Sequence, residues 1–315
     1  LPRRLHSSWE LLAVTSFGIL TAITLLAVGA IYSKTLAEGG LRHTLALTST
    51  VGLNAQVRIQ NRPLGPADYQ NLRVAVEETL DERLGTLVRN TQRSGRAQGN
   101  LPLVMTEDGR PPSRGGPKGQ PFFLTDFEKH AKIVEGRWPE ADPIFHDKGV
   151  KMEMVVGKQT ASNMGWEVDD QVYMVPFSAD ISERVEFTLV GLVEPIDPSE
   201  EYWMTWVSYY FNAQDLDPWT VAPIYLSEEA FFNGLGARYP SLLGDYWWFL
   251  FLDIGSLTAD TAGPTKVAIG GLEKNLNNMF PRSLVLSLLE KTITDYQREL
   301  TLARVPIFLF LSLVV

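Results

Sequence analysis

The chain has 315 residues, 45% of them hydrophobic and 21% charged, with a formal net charge of −9 at pH 7 and no cysteine. This composition excludes collagen, mucin, an acidic disordered tail and a disulfide-stapled miniprotein. The acidic balance argues against a general nucleic-acid binder, and the lack of thiols rules out disulfides, zinc–thiolate sites and a cysteine nucleophile.

The first element is an uncharged run of 22 residues, Leu11 to Tyr32. As a helix it would be ~33 Å long, matching a hydrocarbon core of ~30 Å. Trp9 and Tyr32 stand where an aromatic belt places such residues. The competing reading is a signal peptide, with Arg3 and Arg4 as its basic region and Val28-Gly29-Ala30 as a cleavage site. Its apolar region would span only ~7–15 residues, so a transmembrane anchor at 11–32 is favoured. The positive-inside count is nearly a tie, but the N-terminal side is short, which puts residues 1–10 in the cytoplasm and the bulk of the chain outside.

Ser33 to Leu47 continues as helix, with Gly39-Gly40 as a weak point. Gln56 to Gln60 alternates like a strand, and Asn61 to Pro66 reads as a turn. Ala67 to Arg89 is an amphipathic helix, carrying Tyr69, Leu72, Val76, Leu80, Leu84 and Leu87 at spacings of three and four. Residues 91–120 are rich in Gly, Pro and polar side chains and are expected to form an exposed flexible loop with a short strand at Leu101–Met105. Its basic residues, Arg93, Arg96, Arg110, Arg114 and Lys118, are expected in solvent, with contact to anionic lipid as the alternative.

Short strands follow at Phe122–Leu124, Lys151–Val156, Gln171–Val175, Val185–Val193 and Ile224–Leu226, with a helical turn at Lys158–Met164. Ser227-Glu228-Glu229 opens a helix with an acidic first turn. Trp247 to Ile254 is almost wholly apolar and reads as a buried strand. Pro264 to Phe280 returns to helical spacing, and a last helix, Leu284 to Leu302, leads into a second apolar run at 304–315. That run has Pro306 in its first turn and reads as a second span that the sequence cuts short. The whole is α+β: a transmembrane helix, an extracytoplasmic domain over 33–303 with a strand-rich inserted part at about 133–245, and the start of a second span.

Enzyme signatures are missing. The four histidines, at 6, 43, 130 and 146, make no zinc-binding pair, and His130 reads as a surface or satisfied histidine. Val155-Val156-Gly157-Lys158-Gln159-Thr160 only imitates a phosphate loop, because Gln159 follows the Lys and Met152 stands where the first Gly belongs. The neighbouring carboxylates Asp169-Asp170, Glu200-Glu201 and Glu228-Glu229 point in different directions and do not form acid–base pairs. No catalytic, cofactor or metal residues are assigned.

One stretch stands apart. Residues 194–253 contain ten acidic side chains (194, 197, 200, 201, 215, 217, 228, 229, 245, 253) against one basic, Arg238, and five of the eight tryptophans. Aromatics beside carboxylates form pockets for sugars, cations or amphiphiles, or a protein-binding face. Trp203, Trp206, Trp219, Tyr209, Glu200 and Glu201 are the candidate ligand or partner surface. The alternative is core packing with a Pro-rich loop.

Several phrases resemble the FtsX-like, MacB-type family of ABC transporter permeases. Ile31-Tyr32-Ser33-Lys34-Thr35-Leu36-Ala37-Glu38-Gly39-Gly40-Leu41 resembles the exit from the first span, and Gly136-Arg137-Trp138-Pro139 the "G-R" turn of the MacB-like periplasmic core domain. Met154 to Ala161, Met164 to Val172 and Phe187 to Val193 resemble its later segments, although Asp169 stands where the family usually has Gly before an Asp. The resemblance implies a multi-pass protein of the bacterial cytoplasmic membrane that is not itself an enzyme. A separate cytoplasmic ABC ATPase subunit would hydrolyse ATP. Mechanotransmission through stalk helices Ser33–Leu47 and Leu284–Leu302 would drive transport, the export or extraction of an amphiphile. Membrane lipid and a second permease copy or paralogue are the other implied partners, and the coupling helix would lie beyond Val315. The alternative reading is a membrane-anchored extracellular ligand-binding or sensor module.

Overall fold

The computed structural model describes residues 9–99, 101–112, 114–177 and 181–314. The expected cytoplasmic tail before Trp9 and the end of the expected second span at Val315 lie outside them. Its main helices are α1 (Trp9–Ala46), α2 (Pro66–Leu84), α3 (Lys158–Met164), α4 (Val207–Phe211), α5 (Ala259–Met279) and α6 (Leu289–Val314). The strands are β1 (Ala55–Pro63), β2 (Val88–Ala97), β3 (Leu101–Val104), β4 (Gly116–Leu124), β5 (Ala131–Gly136), β6 (Ile144–His146) and β7 (Gly149–Gly157). They continue with β8 (Gln171–Met174), β9 (Arg184–Pro195), β10 (Gln214–Leu216), β11 (Trp219–Tyr225), β12 (Leu243–Leu252) and β13 (Leu284–Leu286). The fold is therefore mixed, of the α+β kind. Two compact units form: Leu1–Ser49 with Ile254–Val267 and Leu288–Val315, and Thr50–Asp253 with Ala268–Ser287.

In the first unit, α1 runs unbroken for 38 residues, passing through Gly39-Gly40 where a weak point was expected. That is ~57 Å of helix, well beyond one hydrocarbon core. By length and composition α1 is able to cross a membrane. Phe17 and Val14 are exposed, and the hydroxyls of Thr21 and Thr24 are satisfied by the carbonyls of Phe17 and Leu20, each at 2.8 Å. Toward its C-terminus α1 buries Leu41 and Leu45 while α6 buries Leu289, Ile293 and Tyr296. Glu38 accepts the Ala259 N–H at 2.9 Å, satisfying one of the orphan donors at the start of α5, and Arg42 donates to the Leu257 carbonyl at 2.8 Å. The last helix starts at Leu289 rather than Leu284, because Leu284-Val285-Leu286 pairs with β1 as β13.

The second unit is built on one sheet with two parts. Strands β4, β2, β12, β1 and β13 lie side by side in that order as an antiparallel wing. Strand β4 also pairs in parallel with β11, and the path β4–β3–β8–β9–β7–β11 returns to it, so these six strands close into a ring. Alternate residues of three ring strands, Met152 and Met154, Val172 and Met174, and Val185, Phe187 and Leu189, are all buried. In the wing, β1 continues to Pro63 through the segment expected as a turn; Asn61, at φ 55°, makes a bulge there that shifts the register.

The largest departure from expectation is residues 91–120, which are not a flexible loop but supply most of β2, all of β3 and half of β4. Strand β2 sits between β12 and β4, and several of its polar side chains have partners, although Gln92 Oε1 and the Nε atoms of Arg93 and Arg96 are buried without one. Ser94 Oγ donates to the Phe123 carbonyl at 3.0 Å, and Arg93 pairs with Glu77 at 3.1 Å and Glu228 at 2.9 Å. Gly95 makes room for the rings of Phe123 and Tyr246, since a Cβ there would lie 2.4 Å from the Phe123 ring. Aromatic residues fill both faces of the wing. On one, Tyr69 of α2 stacks on Phe232 with centroids 3.9 Å apart and meets Phe123 and Tyr246. On the other, Phe122, Phe127, Trp203, Tyr210, Phe211, Trp247 and Phe249 form a buried cluster.

Candidate ligand surface

The six side chains expected to form one surface are divided in the fold. Trp203 is 1% exposed, with its indole N–H donated to the Asp197 carbonyl at 2.8 Å and its ring edge-on to Phe127 and Phe211. It belongs to the core and not to a surface, because the turn Glu201–Trp203 folds it inward. The adjacent carboxylates face different partners. Glu200 pairs with His130 at 2.9 Å, whose ring stacks on Tyr202, while Glu201 accepts from Asn54 at 2.6 Å and Arg89 at 2.9 Å. His130 is thus a satisfied side chain.

Tyr209 and Trp206, both half-buried, do come together, around an arginine that sequence reasoning placed in a loop. Strand β2 carries Arg96 opposite Asp245 of β12, and Asp245, almost fully buried, accepts from Arg96 at 3.2 Å with Arg58 at 3.7 Å. Both guanidinium groups lie over the Trp247 ring, at 5.4 Å for Arg58 and 5.0 Å for Arg96. Arg96 also bonds the Tyr209 hydroxyl, which in turn donates to Gln120. Burial opposes the Arg96 charge, but Tyr209 and Asp245 outweigh it and hold its pKa above the ordinary value. Burial raises the Tyr209 phenol despite the opposing pull of Arg96, so it remains a neutral hydroxyl.

Beyond Tyr209 the same sheet face continues, and among the described residues no helix other than α4 lines the cavities there. Strand β4 adds Lys118 and Gln120, β11 adds Trp219 and Val221, and β10 adds Gln214 and Leu216, placed together by the pairs Val221↔Lys118, Gln214↔Val221 and Leu216↔Trp219. The result is a groove of two adjoining cavities, about 250 Å³ at the Arg96 end and about 640 Å³ at the Trp219 end, sharing Gly99, Leu216 and Val221. Lys118 Nζ rests 4.3 Å from the centroid of the Trp219 ring. Sequence reasoning identified Tyr209 and Trp219, which stand at the two ends of this groove, but not Arg96, Gln98, Lys118, Gln120 or Gln214. A period-two placement, Gln92/Ser94/Arg96 and Lys118/Gln120/Phe122, was the signal available for the strands.

Among the described residues no cluster of His, Asp and Glu is placed to hold a metal ion. No family model matches the chain, and a comparison with curated proteins finds no match.

Proposed function

We propose that this chain is a permease subunit of an FtsX-like, MacB-type ABC transport system. In this reading α1 crosses the cytoplasmic membrane and the strand-rich unit stands outside. α6 carries the chain back toward the membrane, and a separate cytoplasmic subunit hydrolyses ATP. The unbroken α1 carries the reading: its apolar span continues as a single helix to Ala46, and a continuous helix is a stiff lever, whereas a flexible linker would lose the displacement. The cargo in this reading is an amphiphile, and the working unit includes a second permease copy or a paralogue in contact with membrane lipid.

The family-like phrases support it through packing. Gly136 has φ 75°, and a Cβ there would lie 2.1 Å from the Val190 carbonyl oxygen, while one on Gly191 would lie 2.3 Å from that of Arg137. The "G-R" turn and the β9 phrase thus require each other's glycine. Gly157 is similarly pressed against the Phe211 carbonyl, at 1.9 Å from a built Cβ. Asp169, standing where the family usually has Gly, holds φ 75°.

The test uses the cysteine-free sequence, in which single introduced thiols report alone. In intact cells a membrane-impermeant maleimide should label Thr106→Cys, whereas Ser8→Cys should react only after permeabilisation. The full chain purified from its native membrane should bring with it vanadate-sensitive ATP hydrolysis. An inward-facing Thr106, or purification without associated ATP hydrolysis, overturns the proposal. A membrane-anchored binding module is the second reading, favoured by the uncovered groove, and it survives the second outcome but not the first.

A further inference from the structure

We propose that Arg304 and Lys34 hold the phosphate of an anionic phospholipid at the level where α1 and α6 meet the membrane surface, an inference that rests on α1 crossing the membrane. The two helices run antiparallel: Thr48, just past the end of α1, meets Thr292 at 3.4 Å between hydroxyl oxygens, and a Cβ on Gly40 would touch the Tyr296 ring at 3.6 Å. Eight residues along α6 from Tyr296 is Arg304, and eight residues back along α1 from Gly40 is Tyr32. At ~1.5 Å per residue both lie ~12 Å from that contact, at one level. Tyr32 closes the uncharged run of α1, and Arg304 immediately precedes the uncharged run 305–315. Both apolar runs therefore stop at the same height.

Arg304 stands on the face of α6 turned to α1: it follows Ile293, Tyr296 and Leu300 at helical spacing, all of them buried or half-buried, while its neighbours Ala303 and Val305 are exposed. A helical side chain tilts toward the N-terminus of its helix, so Arg304 leans out of the apolar run and toward the headgroups. Its Nε is buried without a hydrogen-bond partner. Lys34 is exposed on α1, two residues beyond Tyr32. Segments 30–37 and 300–308 contain these two cations and no carboxylate. Among the described residues neither cation has an ion-pair partner, since Glu38 accepts the Ala259 N–H and Asp295 takes Arg298. A half-buried guanidinium without a counter-charge is costly until an anion meets it. At this level that anion is a headgroup phosphate, which an arginine meets with paired N–H donors and a lysine with a point charge.

The full chain is reconstituted in nanodiscs of equal parts phosphatidylglycerol and phosphatidylcholine, and the lipids it retains on release into detergent are counted by native mass spectrometry. Each cation near the surface favours the anionic lipid by about fivefold, so the wild type should retain phosphatidylglycerol over phosphatidylcholine by about twentyfold. Arg304→Gln or Lys34→Gln should each lower that preference by about fivefold, and the double variant should abolish it. Arg304→Lys, which keeps the charge, should keep most of the preference, and Lys291→Gln, exposed on α6 well away from that level, should change nothing. Unaltered thermal unfolding verifies that the variants are folded. Millimolar inorganic phosphate should not displace the lipid. Carbonate extraction separates the site from the reading beneath it: a chain stripped from the membrane refutes both, whereas a chain that stays and retains the two lipids equally refutes the site alone. The proposal is also overturned if the double variant keeps the wild-type preference, or if inorganic phosphate displaces the lipid, which would make this a site for free anions.

Discussion

Strands β2 and β12 lie in register from Gly244↔Ala97 to Leu252↔Val88, yet they are opposites in composition. β12 reads Leu-Gly-Asp-Tyr-Trp-Trp-Phe-Leu-Phe-Leu, while β2 reads Val-Arg-Asn-Thr-Gln-Arg-Ser-Gly-Arg-Ala. The first provides apolar surface to both faces of the wing. The second provides partners: Arg93 joins the carboxylates of Glu77 and Glu228 on one face, and Arg96 takes Asp245 on the other. A strand inside a sheet therefore needs an apolar sequence only where its neighbours supply no polar partner. Where they do, hydrogen bonds and a glycine under two aromatic rings serve instead.

The comparison breaks most readily at the one polar side chain that β12 gives to β2. Asp245→Ala leaves Arg58 and Arg96 facing each other without their buried counter-charge and should cost about 3–5 kcal/mol in denaturant unfolding. A loss below about 1 kcal/mol would mean that β2 is held by its backbone alone. Gly95→Ala tests the aromatic contribution: its methyl must displace Phe123 or Tyr246, at an expected cost of about 1–3 kcal/mol. The smallest effect is expected at Ser94→Ala. This removes the hydrogen bond to Phe123 and little volume, so the change in unfolding free energy should stay within about 1 kcal/mol.

The same contrast explains what the sequence revealed. α2 was legible because its apolar face repeats at helical spacing and Pro66 marks its start, and β12 because a continuous apolar run leaves little alternative. Residues 91–120 were misread because Gly, Pro and Arg suggest solvent, and the partners that bury Arg93 and Arg96 lie far away in sequence, at Glu228 and Asp245. Leu284–Leu286 were absorbed into a helix for the same reason, since only β1 makes them a strand. Of the candidate surface, Tyr209 and Trp219 were found by their aromatic character, but the same character drew attention to Trp203, which the fold uses as core. The amide side chains that give the groove its chemistry carry no distinctive local pattern, and only the pairing of β2, β4, β11 and β10 assembles them.

The ring closed by β4 and β11 has a consequence for how the second unit comes apart. Its closing partners are separated by about a hundred residues of chain, from Gly116↔Trp219 to Phe122↔Tyr225, and each of the six ring strands is paired on both sides. Such a hoop offers no free edge at which pairing can unzip, so β4, β8, β9 and β11 should exchange their amide hydrogens together, at the slow rate of global opening. β13, with three residues and one neighbour, is the loose end of the same sheet and should exchange first.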